Sequence, residues 1–123
     1  MSSQNEFPLV FEHLRKILQP FETKLKVKKN SADTYHLDGP YSEKWDKELF
    51  FGSVQIKKNY VSFYLMPVYM YPDLLKDISP ELKRHMQGKS CFNFKRVEPD
   101  LLKELNSLTK DSFKWLQKEE FGK

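Results

Sequence analysis

The sequence predicts an α+β domain, a mostly antiparallel five-stranded sheet with the N- and C-terminal helices packed on one face. Apolar residues recur at helical spacing at both ends of the chain, as in Val10, Phe11, Leu14, Ile17 and again in Leu101, Leu105, Leu108. Through the middle they alternate with polar residues, as in Val61-Ser62-Phe63-Tyr64-Leu65. Short Asn-, Gly- and Lys-bearing breaks join the alternating runs, which favours hairpins over crossover connections.

The first helix is expected from about Pro8 to Gln19, where Phe7, Val10, Phe11, Leu14, Ile17, Leu18 and Phe21 form one stripe. Pro8 suits the first turn, where its missing N–H has no role. Pro20 ends or kinks the helix. Leu25-Lys26-Val27-Lys28 reads as a short strand, Asn30-Ser31 as a turn and Thr34–Leu37 as its partner, closed by Asp38-Gly39-Pro40. An irregular segment from Tyr41 to Lys47 carries Trp45. The clearest hairpin pairs Leu49–Ile56 with Tyr60–Met66 across Lys57-Lys58-Asn59. Its alternation puts Phe50, Gly52, Val54 and Ile56 on one face of the first strand. Val61, Phe63 and Leu65 share a face of the second strand, with Tyr60, Ser62, Tyr64 and Met66 opposite.

The last third reads as two short helices, one strand and a long helix. Pro72–Ile78 turns Leu74, Leu75 and Ile78 inward. Ser79 caps the next helix, with Pro80 at its first position. Leu82 and Met86 share its inner face, and Gly88 stops it. Ser90–Lys95 is a strand, and the final helix begins near Pro99. Along that helix Leu101, Leu105, Leu108, Ser112 and Trp115 make a row beside Leu102, Phe113 and Leu116.

A chain of 123 residues is read as one domain, 1–123, large enough for a core without staples. Aromatic residues make up 15% of it, enough for a few rings to fill that core. The single cysteine excludes an internal disulfide and suits a reducing compartment. The N-terminus has no basic region followed by an apolar run, and no segment reaches the roughly 18 apolar residues that span a membrane. A cytoplasmic protein with no membrane partner is expected. The net charge of +4 permits weak attraction to polyanions. Lysines outnumber arginines and no RNP-like motif is present, which argues against nucleic-acid readout.

The stretch Gly88-Lys89-Ser90-Cys91-Phe92-Asn93-Phe94-Lys95 carries the most suggestive chemistry. Lys89 beside Cys91 could activate a thiol. A cysteine catalyst also needs a base, and His13, His36 and His85 lie far apart with no motif around them. Alternation turns Cys91 away from Phe92 and Phe94, onto the face of Asn93 and Lys95, as a small filler. Gly88-Lys89-Ser90 lacks the upstream glycine of a phosphate loop. No His or Cys spacing suggests a metal site. These observations point to a non-enzymatic protein with no catalytic residue, metal or cofactor.

The tyrosines offer more. Tyr35, Tyr60, Tyr64 and Met66 are expected on the sheet face away from the core stripe, flanked by Tyr41, Trp45, Tyr69 and Tyr71. Such a face can line a pocket for a small molecule, with Lys26, Lys28, Lys57, Lys58, Lys89 and Lys95 favouring an anion. It can equally be covered by the Tyr41–Lys47 segment or form a homodimer interface. The candidate ligand-binding residues are Trp45, Tyr60, Tyr64, Lys89, Cys91 and Lys95.

The element order, the run Tyr60–Pro67, the run Met86–Lys95 and the long helix from Pro99 resemble the YdhG-like family of small bacterial cytoplasmic proteins. The resemblance covers about Leu37 to Leu116. It implies a compact sandwich related in shape to frataxin, in a family mostly of unknown function with one branch regarded as an iron chaperone. Frataxin-type iron binding uses an acidic ridge on the first helix and strand. Here Glu12 and Glu22 sit among Arg15, Lys16 and Lys24, so the resemblance carries the fold and leaves iron delivery as the alternative to a ligand-binding role.

Overall fold

A computed structural model describes residues 6–43 and 46–118. The chain folds into an antiparallel sheet with strand order β1-β2-β3-β4-β6-β5 and helices, an α+β architecture. The strands are β1 (Lys26–Asn30), β2 (Thr34–Ser42), β3 (Lys47–Ile56), β4 (Val61–Leu65), β5 (Met86–Gln87) and β6 (Cys91–Phe94). The helices are α1 (Phe7–Leu18), α2 (Met66–Met70), α3 (Pro80–Arg84) and α4 (Pro99–Leu116), with 3-10 turns at Gln19–Thr23 and Pro72–Leu75.

The sheet has six strands rather than the expected five, because residues assigned to the end of a helix form β5. Helix α3 stops at Arg84. Met86 and Gln87 then pair antiparallel with Phe92 and Cys91. Gly88 has φ of +79° with open space where a side chain would stand. It thus serves a three-residue hairpin loop, a turn that favours a left-handed residue, rather than a helix stop. The last strand, β6, pairs antiparallel with β4.

Bulges account for two further departures. Between the pairs Leu37–Gly52 and Asp38–Phe50, Phe51 is an extra residue on β3. The bulge resets the alternation, so Leu49 and Phe51 join the core and Phe50 turns outward to stack on His36, ring centres 4.7 Å apart. Phe50 therefore does not share the face of Gly52 and Val54. A second irregularity between Asp38 and Tyr41 accommodates Gly39-Pro40, so β2 continues to Ser42 instead of closing at Asp38.

The inner face carries Tyr35, Leu37, Phe51, Val54, Val61, Phe63, Leu65, Phe92 and Phe94, each 0–1% exposed. Helix α1 lies close over it: a Cβ on Gly52 would fall 2.8 Å from Leu18 Cδ2. Helix α4 joins it through Phe113, whose ring lies 5.6 Å from Phe51 edge-on and 4.8 Å from Phe21. Tyr35 also belongs here, not on the outer face. Its hydroxyl donates to Glu22, and the Arg15 guanidinium sits 5.9 Å from its ring centre. Burial first, and the Glu22 hydrogen bond second, hold its phenol well above the usual tyrosine range. Ser79 caps α3 as expected, its Oγ accepting from the Leu82 N–H at 3.1 Å. Its hydroxyl and N–H both donate to the Glu104 carboxylate of α4, at 2.6 and 2.5 Å.

Among the described residues, no helix is long and apolar enough to cross a membrane.

Candidate functional site

The outer face of the β4–β6 half is organised by register. Ser62 stands opposite Asn93, and Tyr64 opposite Cys91. Asn93 is the hub. Its Oδ1 accepts from Ser62 Oγ at 2.7 Å and from Cys91 Sγ at 3.3 Å, and its Nδ2 donates to Gln87 Oε1 at 2.7 Å. Every polar atom of the carboxamide thus has a partner, which fixes Gln87 and the short strand β5 against β6. The Tyr60 hydroxyl approaches the same Gln87 oxygen at 3.5 Å, a long contact.

Burial pushes the Cys91 thiol up, against the opposing hydrogen bonds of Ser62 and Tyr64. Burial, followed by Cys91, pushes the Tyr64 phenol up as well. A protonated thiol that donates to Asn93 is a structural donor and a poor nucleophile.

Beside this network, at the β5–β6 edge, opens a cavity of about 550 Å³. Tyr60, Met86, Gln87 and Asn93 line it on the sheet side. Arg84 from the end of α3 and Lys95 and Arg96 from the loop after β6 supply cations, and Glu98 the carboxylate. His85 also lines it. Its ring stacks on Phe94 with centres 4.6 Å apart, while Nδ1 lies 2.7 Å from the Asn93 carbonyl oxygen and Nε2 3.1 Å from Glu98 Oε2. Among the described residues, three cations therefore line the space against one carboxylate, which the His85 ring also approaches. Guanidinium groups in such a setting recognise carboxylate, sulfate or phosphate through paired hydrogen bonds.

Of the residues singled out in the sequence, Tyr60 and Lys95 line this cavity. Tyr64 and Cys91 lie on the same sheet face at the other end of the Asn93 network. Lys89 sits in the hairpin loop with its ammonium 5.9 Å from the Tyr69 ring centre. Trp45 lies outside the described residues. Lys26 and Lys28, expected at the rim, instead approach Glu48 at 3.6 and 3.4 Å, and Lys57 donates to Gln55 Oε1 at 2.7 Å. A smaller cavity of about 220 Å³, with Phe50, Met66, Tyr69 and Met70 in its wall, opens between β3 and α2.

Sequence reasoning missed Asn93, and with it Arg84, His85, Met86, Gln87, Arg96 and Glu98. The signal was present in the Gly88 loop. A hairpin about Gly88–Ser90 folds Arg84-His85 back beside Lys95-Arg96, whereas a helix running to Gln87 does not.

No family model, curated protein or solved structure matches the chain.

Proposed function

We propose that this protein is a non-enzymatic binding protein that holds a small anionic ligand in the cavity between Arg84, Asn93 and Arg96. The observation that carries this reading is the charge of the wall, where Arg84, Lys95 and Arg96 stand against the single carboxylate of Glu98 among the described residues. The fixed carboxamides of Gln87 and Asn93 add donors and acceptors that orient a ligand. Membership of the YdhG-like family, with a frataxin-like sandwich, belongs to the proposal and rests on the resemblance of the Tyr60–Pro67 and Met86–Lys95 runs. A cytoplasmic location belongs to the proposal and is supported by a chain that carries one cysteine, present as a free thiol.

Iron delivery of the frataxin type is the competing function. It needs clustered hard ligands. Among the described residues, no group of three or more His, Cys, Asp or Glu is placed to hold a metal ion.

Calorimetric titration with sulfate tests the proposal, and ferrous iron titrated under anaerobic conditions is the control. Saturable sulfate binding that weakens at least tenfold in R84A/R96A, with an unchanged melting temperature, is the expected result. Absence of saturable sulfate binding, or saturable ferrous binding alone, overturns it.

A further inference from the structure

His85 is held in a way that only its charged form fully satisfies. Both ring nitrogens face oxygen acceptors, the Asn93 carbonyl at 2.7 Å and the Glu98 carboxylate at 3.1 Å. A neutral imidazole carries one N–H and one lone pair, so in either tautomer one of these contacts sets a lone pair against an oxygen. The imidazolium donates to both. The Phe94 ring stacked on the imidazole gains a cation over its face on the same event.

The cavity gathers further charged groups around the ring. Arg84 precedes His85 at the end of α3, Lys95 and Arg96 reach in from the loop after β6, and Glu98, before α4, is the carboxylate facing the ring. The Tyr60 hydroxyl, beyond Gln87, completes the titratable groups of the wall. An anion held among these cations places negative charge beside the ring and favours the form that donates to both acceptors.

We infer that proton uptake at His85 is coupled to anion binding, so that the cavity takes its ligand more tightly as the pH falls through the histidine range. This rests on the anion-binding reading above and adds its regulation. By linkage the effect is reciprocal: a bound anion raises the fraction of His85 that is protonated at a fixed pH. His85 also ties α3 to β6 through the Asn93 carbonyl, and the Asn93 N–H donates back to the His85 carbonyl at 2.8 Å. The second N–H that the proton adds completes whichever of the Asn93 and Glu98 contacts the neutral ring leaves unmade.

The test titrates sulfate, which keeps its charge across the histidine range of about pH 5 to 8, into the full chain by calorimetry at both limits. Imidazole nitrogen NMR of His85 is recorded with and without sulfate. The expected result is sulfate binding on the order of tenfold tighter at the acidic limit, within the span usual for coupled sites. A matching rise in protonated His85 on adding sulfate is expected at intermediate pH. H85Q should bind sulfate with the pH dependence lost; because H85Q disturbs the α3–β6 tie, E98Q is measured beside it. E98Q removes the carboxylate that favours the proton and should flatten the dependence while tightening binding at the alkaline limit. Sulfate binding of equal strength at both limits in the wild type overturns the coupling and leaves the site standing. No saturable binding at either limit overturns the anion-site reading and the coupling with it. A wild-type pH dependence that H85Q and E98Q both retain assigns the proton elsewhere and rejects His85.

Discussion

The two faces of β6 are one residue apart in sequence and follow different physics. Phe92 and Phe94 are sealed against the inner core at 0 and 1% exposure. Cys91 and Asn93 face outward, half-buried, in a chain of hydrogen bonds that leads to Gln87 and the cavity. The inner face is stabilised by area and packing, which are non-directional. The outer face depends on direction and charge, where one misplaced donor matters more than a lost methyl. Substitutions should therefore separate, with inner changes moving stability and outer changes moving binding.

The largest effect belongs to the inner face. Phe63→Ala or Phe92→Ala is expected to cost about 3–5 kcal/mol, read as a shift of the denaturant midpoint. A cost no larger than that of Cys91→Ala would erase the distinction between faces. Gly52→Ala comes next. Its Cβ would meet Leu18 Cδ2 at 2.8 Å and the Tyr64 carbonyl oxygen at 3.2 Å, so the buried Leu18 side chain must give way. About 1–3 kcal/mol is expected for such overpacking, and a neutral result would show that Leu18 repacks freely.

Ser79→Ala removes the α3 cap and the hydroxyl bond to Glu104 and should cost about 1 kcal/mol in thermal unfolding, with sulfate binding unchanged. Tyr35→Phe is expected to cost about 0.5–1.5 kcal/mol near neutral pH, because it leaves Glu22 without its donor. Its clearer mark lies in alkali. A phenol whose folded-state pKa is raised contributes stability that is complete below the ordinary tyrosine value of about 10 and is lost as pH climbs towards the folded value. Stability of the wild type should fall across that alkaline range and that of Tyr35→Phe should fall less, measured by denaturation at a series of pH values. The smallest stability effect is expected from Arg96→Ala, within about 0.5 kcal/mol as for most exposed sites, yet with a clear loss of sulfate affinity. Loss of both together would move Arg96 from the ligand to the fold.

The inner face was largely legible. Helical periodicity located α1 and α4, and Val61, Phe63, Leu65, Phe92 and Phe94 declared their side by simple alternation, because burial of one face enforces a period of two. Where a bulge breaks that period, reading failed: Phe50 turns outward and Phe51 inward. Tyr35 needs no bulge to be inside, because it shares the face of Leu37 by plain alternation and is buried beside Glu22. The site was legible only in part. Tyr60 and Lys95 were found as an aromatic and a cation near a strand, but the partners that give them meaning are set by the Gly88 hairpin. A single turn of apparent helix, Leu82 to Met86, is too short for periodicity to tell from helix followed by strand.

The most direct test maps sulfate onto the amide NMR spectrum of the wild-type chain. Saturable shifts confined to Tyr60, Arg84–Gln87 and Asn93–Glu98 are predicted, with Lys26–Asn30 on the opposite edge unmoved. Shifts that grow linearly and spread over the exposed lysines of β1 and the Lys57-Lys58 turn would contradict a built anion site and reduce the cavity to a feature of the fold.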